Sequence, residues 1–206
     1  MPSFEATEVA ALAEAAKHEL RKRMRALRTA HPQAALSVRS RSLVSRALEL
    51  PAFASASGVA LFFPLLERKE VDLRELDAEA RRLGKRVYYP YLEQRGDALV
   101  SGLKLVGSLA ELAERGGRFL EPPREAPDAA RGEVDLLFLP ALALAPSGHR
   151  LGYGAGFYDS LLPDFRPPGC AVAVGFDFQL LAELPILPHD VACDAVLTDA
   201  RCLWAT

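Results

Sequence analysis

A ten-residue stretch, RLGYGAGFYD at positions 150–159, combines residue types that could bind a phosphate group. Its three alternating glycines let a ligand approach the backbone without a Cβ in the way. Arg150 could contact phosphate oxygens through two parallel N–H groups, and Asp159 could hold Mg²⁺ directly or through water. The pattern predicts a loop that binds a phosphorylated ligand, although glycines at this spacing also occur in tight turns.

The two common phosphate-binding fingerprints do not match this chain. It has no GxxxxGK[ST] motif, and GYGAGF lacks the third glycine of the dinucleotide-binding GxGxxG pattern. We therefore expect no P-loop kinase or nucleoside triphosphatase, and the sequence gives only weak support to a dinucleotide-binding fold.

The elements that must position this loop follow from short apolar runs in the chain. These runs predict strands that are buried on both faces, as in a parallel sheet, at 58–65, 86–92, 134–144, 170–176 and 194–198. Between the first two, residues 71–84 predict an amphipathic helix closed by Gly84. Strand, helix and strand at this spacing predict an α/β fold with helices covering a mainly parallel sheet.

Two further helices are predicted near the N-terminus, at 5–30 and 32–49, the second closed by Pro51. Residues 116–132 are rich in glycine, proline and charge, which indicates a surface loop or a flap over a site. No linker separates two complete cores, so we expect a single domain over residues 1–206.

The composition is typical of a globular protein with a full core, since 50% of the residues are hydrophobic. The net charge of −2 and the lack of a long apolar run predict no binding to nucleic acid or to a membrane. Acidic residues near the N-terminus argue against a secretory signal or transit peptide. Cys170, Cys193 and Cys202 show no CxxC spacing, so we expect reduced thiols and a cytoplasmic protein. We expect a monomer or a weak dimer.

The segment GHRLGYGAGFYD resembles the signature of the 5-formyltetrahydrofolate cyclo-ligase family, in which RLG is followed by Tyr or Arg and then by G(K/G)GYYD. Other segments resemble the family in the same order along the chain. They are KHELR (17–21), FFPLLERKEVD (62–72) and LPILPHDVACDAVLTD (184–199). The resemblance therefore covers nearly the whole chain.

This resemblance implies an α/β three-layer sandwich with a mainly parallel central sheet flanked by helices, of the NagB/RpiA/CoA-transferase-like type. It also implies an enzyme that uses ATP and Mg²⁺ to cyclise 5-formyltetrahydrofolate to 5,10-methenyltetrahydrofolate, with release of ADP and phosphate. The formyl oxygen is phosphorylated, N10 of the folate attacks the activated carbon, and phosphate leaves. The implied partner is the small-molecule substrate, with or without a polyglutamate tail.

The resemblance also implies roles for individual residues. It implies that Lys17 and Arg150 act in catalysis and that Asp159 and Asp190 hold the metal. The implied ATP-binding residues are Lys17, Arg21, Arg150, Leu151, Gly152, Tyr153, Gly154, Ala155, Gly156, Phe157 and Tyr158. The implied folate-binding residues are Leu65, Glu70, Tyr153, Gly154, Ala155, Gly156 and Phe157.

Plainer interpretations exist for several of these residues. Lys17 and Arg21 could form a solvated basic helix face, and Glu70 and Asp159 could be ordinary acids that stabilise a helix N-terminus.

Some positions depart from the family pattern. Ala155 stands where Lys or Gly is usual, Phe157 replaces Tyr, Leu73 replaces Thr, and Ala145 replaces Asp in a segment where Ala141 replaces Gly. These departures leave two other functions open: an ATP-binding paralogue with a different substrate, or a regulator that binds folate or nucleotide without turnover.

Overall fold

The computed structural model describes residues 4–95, 98–115 and 119–205. Its helices are α1 (Phe4–Ala30), α2 (Gln33–Leu48), α3 (Pro51–Ser55), α4 (Arg74–Arg82) and α5 (Phe157–Phe165). Its strands are β1 (Gly58–Ala60), β2 (Arg86–Arg95), β3 (Ala98–Leu105), β4 (Ala113–Glu114), β5 (Leu120–Glu121), β6 (Leu136–Pro140), β7 (Ala143–Leu144), β8 (Arg150–Leu151), β9 (Cys170–Val174), β10 (Ala195–Leu197) and β11 (Cys202–Trp204).

The central sheet has seven strands in the order β11-β10-β9-β6-β1-β2-β3. The inner neighbours from β10 to β2 are parallel. The outermost pairs, β10 with β11 and β2 with β3, are antiparallel. This arrangement confirms the predicted α/β class with a mainly parallel sheet.

Helices cover both faces of the sheet, which gives three layers. Alternate residues of a strand enter opposite cores, as the period of two requires: Val59 of β1 packs with α2, α3 and α4, whereas Ala60 packs with α5. Val87 and Tyr88 of β2 divide in the same way. The inner strands β1, β6, β9 and β10 are apolar because both of their faces are buried.

The connections on the two faces diverge between β1 and β6. The chain leaves β1 through α4 and returns as β2 on one side, and it leaves β6 through α5 and returns as β9 on the other. Ligands of open α/β sheets bind at the carboxyl ends of strands where the order reverses in this way. The segment before Glu70 and the glycine-rich loop both follow strands that end at this crevice.

Helix α1 packs on the small β7–β8 ribbon rather than on the central sheet. Met24 is buried there in a separate apolar cluster with Leu142, Ala143 and Leu151. Because β8 leads directly into the glycine-rich loop, this contact fixes α1 beside that loop.

The elements differ from the sequence predictions in several places. The strand expected at 58–65 ends at Ala60, and the one expected at 134–144 is divided into β6 and β7. The strands β3 and β11 were not expected, and Pro51 begins α3 rather than only ending α2. Within the predicted loop at 116–132, residues 116–118 lie outside the described part. No helix among the described residues is long and apolar enough to cross a bilayer.

Candidate active site

The glycine-rich loop joins β8 to α5, as the sequence predicts. Gly156 is the N-cap of α5 with φ +65°, a left-handed conformation that side-chain-bearing residues adopt at a cost. The backbone N–H groups at the start of a helix, together with the helix dipole, suit an anion. The loop therefore has the backbone geometry of an anion site.

Two basic residues of α1 face this loop. The Nε of Arg21 donates to the carbonyl oxygen of Gly152 at 3.1 Å. Lys17 is buried, and its Nζ donates to Oδ1 of Asp190 at 2.7 Å. The solvated basic face considered above is therefore wrong for Lys17.

Arg150 is buried under the loop, where it joins two segments. It donates to the carbonyl oxygen of Val191 at 2.8 Å and forms an ion pair with Asp159 at 3.1 Å. The N–H of Val191 donates to the same carboxylate at 3.1 Å. These three contacts link the start of α5 to the segment that carries Asp190.

The two predicted metal ligands, Asp159 and Asp190, are thereby brought to neighbouring segments. Burial would raise the pKa of Asp190, but hydrogen bonds from Lys17 and from the Leu187 N–H, with the nearby His189, lower it below its usual value. No group of three or more His, Cys, Asp or Glu that could hold a metal occurs in the described ranges. Mg²⁺ commonly uses only one or two carboxylates with substrate phosphates and water, so these two acids fit it when a nucleotide supplies the remaining oxygens.

Glu70 contacts the loop at Tyr153, the residue after Gly152. Its Oε2 accepts from the N–H of Leu65 at 2.9 Å, and its Oε1 accepts from the hydroxyl of Tyr153. Burial raises the pKa of Glu70, and the charges of Arg28 and Arg68 oppose that effect only in part. A buried carboxylate whose pKa is shifted in a crevice is typical of a functional group.

Lys69 holds the segment before Glu70 against α1. It adopts a left-handed backbone conformation, and its Nζ donates to the carbonyl oxygens of Thr29 at 2.6 Å and His31 at 2.7 Å. These carbonyls lie at the C-terminal end of α1, where a cation is favoured. The contact positions Glu70 relative to the helix that carries Lys17.

Sequence reasoning missed the arginines around Tyr153. The guanidinium groups of Arg25, Arg28 and Arg68 lie 5.9, 5.7 and 5.5 Å from the centre of the Tyr153 ring. The helical period could have found Arg28, since residues seven apart share one face of α1 and Arg28 is seven after Arg21.

Aromatic rings surround the start of α5. Phe157 makes edge-to-face contacts with Tyr158 at 4.9 Å and with Phe119 at 5.6 Å between ring centres. Phe119 belongs to the predicted flap, which therefore reaches the glycine-rich loop. Ala155 is exposed and contributes no charge there.

Three of the departures from the family pattern lie in apolar cores. Leu73 is buried with α2 and α4, and Ala145 is buried against α1. Ala141 is also buried, in the core under α5. These positions hold apolar packing residues in this chain.

A cavity of about 610 Å³ lies elsewhere in the molecule, between α4 and the β2–β3 pair. Its lining includes Arg81, Lys85 and Arg86 but none of the predicted site residues. The candidate active site is therefore the crevice at the glycine-rich loop and Glu70, not this cavity.

The fold and the site define an α/β protein with a glycine-rich loop at a helix N-terminus beside a buried carboxylate. The model of the 5-formyltetrahydrofolate cyclo-ligase family matches residues 13–199, and the chain belongs to this family. The resemblance read from the sequence is confirmed.

Relatives with known names agree with this assignment. The 5-formyltetrahydrofolate cyclo-ligase of Escherichia coli K12 is 30% identical over 168 residues, which cover 78% of this chain and 87% of that protein. The Mycolicibacterium smegmatis protein of the same name is 48% identical over 80 residues, 39% of this chain and 41% of that protein. The mitochondrial Arabidopsis thaliana protein is 27% identical, with 73% of this chain and 62% of that protein covered. The chain thus spans less than two thirds of the last two relatives.

Solved structures show the same fold. The 5,10-methenyltetrahydrofolate synthetase of Aquifex aeolicus, solved by NMR, is 30% identical with a TM-score of 0.78, covering 91% of this chain and 92% of that one. A 5,10-methenyltetrahydrofolate synthetase of Mycoplasma pneumoniae is 19% identical with a TM-score of 0.68, covering 89% and 98%. The second likeness concerns the fold alone.

Proposed function

We propose that this chain catalyses the ATP-dependent cyclisation of 5-formyltetrahydrofolate to 5,10-methenyltetrahydrofolate, with release of ADP and phosphate. One observation carries the proposal: the same loop contacts Arg21 through Gly152 and Glu70 through Tyr153. A group suited to phosphate and a group suited to ring N–H donors therefore contact neighbouring residues of one short segment. The reaction needs these two kinds of recognition next to each other.

In this reaction the protein must position the two reactants and neutralise the charge of the phosphates. The formyl oxygen of the substrate attacks the γ-phosphorus of ATP and ADP leaves. N10 then attacks the activated carbon, loses its proton, and phosphate departs with the former formyl oxygen. An amide oxygen is a poor leaving group and phosphate is a good one, so alignment and phosphate binding suffice.

For the nucleotide, we propose that Lys17, Arg21 and the glycine-rich loop bind the phosphates. Lys17 exchanges its contact with Asp190 for a phosphate oxygen when ATP binds, because a phosphate group carries more charge than one carboxylate. Arg150 holds Asp159 and the Val191 segment in place beneath the phosphates. The remaining loop residues proposed to line the nucleotide are Leu151, Gly154, Ala155, Gly156, Phe157 and Tyr158.

For the folate, we propose that Glu70 accepts hydrogen bonds from N–H groups of the pterin ring and that Tyr153 and Phe157 pack against its flat face. Leu65 fixes one oxygen of Glu70 through its backbone N–H. Asp159 and Asp190 would hold Mg²⁺, which when bound neutralises phosphate charge during transfer.

The assay for this proposal mixes the protein with Mg-ATP and 5-formyltetrahydrofolate and follows the near-ultraviolet absorbance of the methenyl product. We expect that absorbance to rise with an equal release of ADP. Nucleotide binding without product would reject the cyclo-ligase function and favour a regulator. Phosphate release only with another formylated or carboxylated substrate would favour a paralogue. Leu73 and Ala145 are core residues, so the structure gives that alternative no added support.

We also propose a cytoplasmic location and a monomer or weak dimer. The three cysteines are free thiols, which supports a reducing compartment. Sedimentation of the purified protein over a range of concentrations tests the oligomeric state.

A further inference from the structure

Arg28 is a buried arginine near the C-terminal end of α1. It is 3% exposed, and its guanidinium donates to the hydroxyl of Tyr153 at 2.7 Å. Its Nε is also buried and has no hydrogen-bond partner within the described part of the chain. An unpaired buried donor costs stability, so a purely structural explanation of Arg28 is unsatisfying.

Arg28 reaches Glu70 through Tyr153. A phenol has one proton to donate, and because Tyr153 accepts from Arg28 its own proton is directed to Oε1 of Glu70. The other oxygen, Oε2, accepts from the Leu65 N–H. The series Arg28, Tyr153, Glu70 thus links α1, the glycine-rich loop and the segment after β1.

The charges around Glu70 single out Arg28. Arg28 faces it from α1, Arg68 from its own segment, Tyr153 from the loop and Tyr158 from α5. The side chain of Arg68 is 43% exposed, so solvent screens its charge more than that of buried Arg28. Arg28 is therefore the cation best placed to offset the burial of the carboxylate.

We propose that Arg28 is a positioning residue of the folate site, which holds Glu70 through the Tyr153 hydroxyl and supplies the charge that keeps Glu70 an acceptor for the substrate's ring N–H groups. This inference rests on the proposed role of Glu70 in folate binding. It assigns Arg28 no contact with the reacting atoms.

Arg28→Met tests the inference, because Met keeps much of the side-chain volume and removes both donor and charge. We expect the KM for 5-formyltetrahydrofolate to rise about tenfold or more, the size of losing one charge-assisted hydrogen bond, with the KM for ATP within about twofold of wild type. Loss of the positive charge raises the pKa of Glu70, so the acid limb of kcat/KM for folate moves to higher pH. Arg28→Lys restores the charge and should recover most of that pH shift.

Arg25→Met is the matched control, since Arg25 is an exposed arginine whose guanidinium lies 5.9 Å from the centre of the same ring, whereas the hydroxyl accepts from Arg28. Its folate KM and pH profile should stay within about twofold of wild type. An Arg28→Met protein with wild-type folate KM and pH profile would overturn the inference, and so would an equal effect of Arg25→Met.

If Arg28→Met does not fold, Tyr153→Phe removes the relay hydroxyl and keeps Arg28. It should raise the folate KM and move the acid limb in the same direction, and an unchanged profile would overturn the inference.

Glu70→Gln separates this inference from the proposed function. A folate KM unaffected by Glu70→Gln would reject the role of Glu70 itself, whereas an effect of Glu70→Gln without one of Arg28→Met and Tyr153→Phe rejects only the role of Arg28.

Discussion

At the scale of single residues, the buried carboxyl of Glu70 couples function to stability. Burial raises its pKa, so the folded state binds the Glu70 proton more tightly than the unfolded chain does. This tighter proton binding adds to the free energy of unfolding. The contribution is fully present below the pKa of Glu70 in the unfolded chain, about 4.3, and is lost as the pH rises through its pKa in the folded state. The raised pKa of Glu70 therefore makes the fold less stable at neutral pH than at acid pH, a cost that functional groups often carry.

We predict that Glu70→Gln unfolds at a higher temperature than wild type near pH 7, and that the difference disappears as the pH falls towards about 4. Thermal unfolding followed by circular dichroism across this range measures it. Glu67→Gln is the control, because Glu67 is exposed and only 3.8 Å from Arg68. A Glu70→Gln protein less stable than wild type at neutral pH would contradict the prediction.

Arg150 supports a second prediction at this scale. We expect Arg150→Ala to lower kcat by about 100-fold, because Asp159 and the Val191 segment lose their common partner beneath the phosphate site. Arg166→Ala is a matched control: it removes an arginine that donates to Ala192 at 2.6 Å and to Asp194 at 2.5 Å in the same region. Initial rates at saturating substrates compare the two. A kcat for Arg150→Ala within twofold of wild type, or an equal loss in Arg166→Ala, would show that the arginine has no specific role.

The residues of the site were predictable to different degrees. The spacing of RLGYGAGFYD predicts a phosphate-binding loop, because glycine and arginine types carry that chemistry in one short segment, and the structure places this segment from β8 to the start of α5. Arg28 was missed because its hydrogen-bond partner Tyr153 is 125 residues away along the chain, and Tyr153 is in turn 83 residues from Glu70. Contacts at such separations depend on the tertiary fold.

At the scale of elements, the glycines of the glycine-rich loop differ in what requires them: one in its backbone conformation, another in the space that it leaves open. Gly156 needs its left-handed backbone, whereas Gly152 has no such φ and open space where a Cβ would lie. We predict that Gly156→Ala loses about 1 kcal/mol of unfolding free energy. Gly152→Ala should leave the free energy of unfolding unchanged but raise the KM for ATP about tenfold, because the added methyl group meets the phosphates rather than the protein. Urea unfolding and ATP titration of both variants measure this, and a stable Gly152→Ala protein with wild-type KM would place the phosphates elsewhere.

The elements themselves were predicted best where the apolar pattern is long. Helix α1 (Phe4–Ala30) and strand β9 (Cys170–Val174) agree with expectation because their residues match the period and propensity of the element. Strand β3 (Ala98–Leu105) was missed since it lies at the sheet edge and mixes polar with apolar residues. Residues 136–144 are uniformly apolar, so the break between β6 and β7 leaves no mark on their hydrophobicity.

At the scale of the whole molecule, the reversal of connections between β1 and β6 explains why distant segments form one site. The segment with Glu70 follows β1, the glycine-rich loop follows the ribbon after β6, and α1 lies across that ribbon. Sequence patterns predict an α/β sheet but not its strand order, so this crevice could not be located before the topology was known. The family's ordered motifs become neighbours only through that strand order.

The same arrangement predicts how ligands stabilise the molecule. In the free protein, both proposed metal ligands are paired with cations, Asp190 with Lys17 and Asp159 with Arg150. Mg²⁺ alone must break these pairs without compensation, whereas a nucleotide supplies phosphates to the cations as the metal takes the carboxylates.

A ligand at about 100 times its Kd adds about 2.7 kcal/mol of stability, which for a chain of this size raises Tm by about 5–10 °C. We therefore expect millimolar Mg²⁺ to leave Tm within about 1 °C and Mg-ATP to raise it by that larger amount. Lys17→Met should reduce the response to Mg-ATP, and Lys22→Met, an exposed neighbour on α1, should keep it. Thermal shift measurements with each ligand decide the matter, and an equal shift with Mg²⁺ alone would mean that the carboxylates accept the metal without nucleotide.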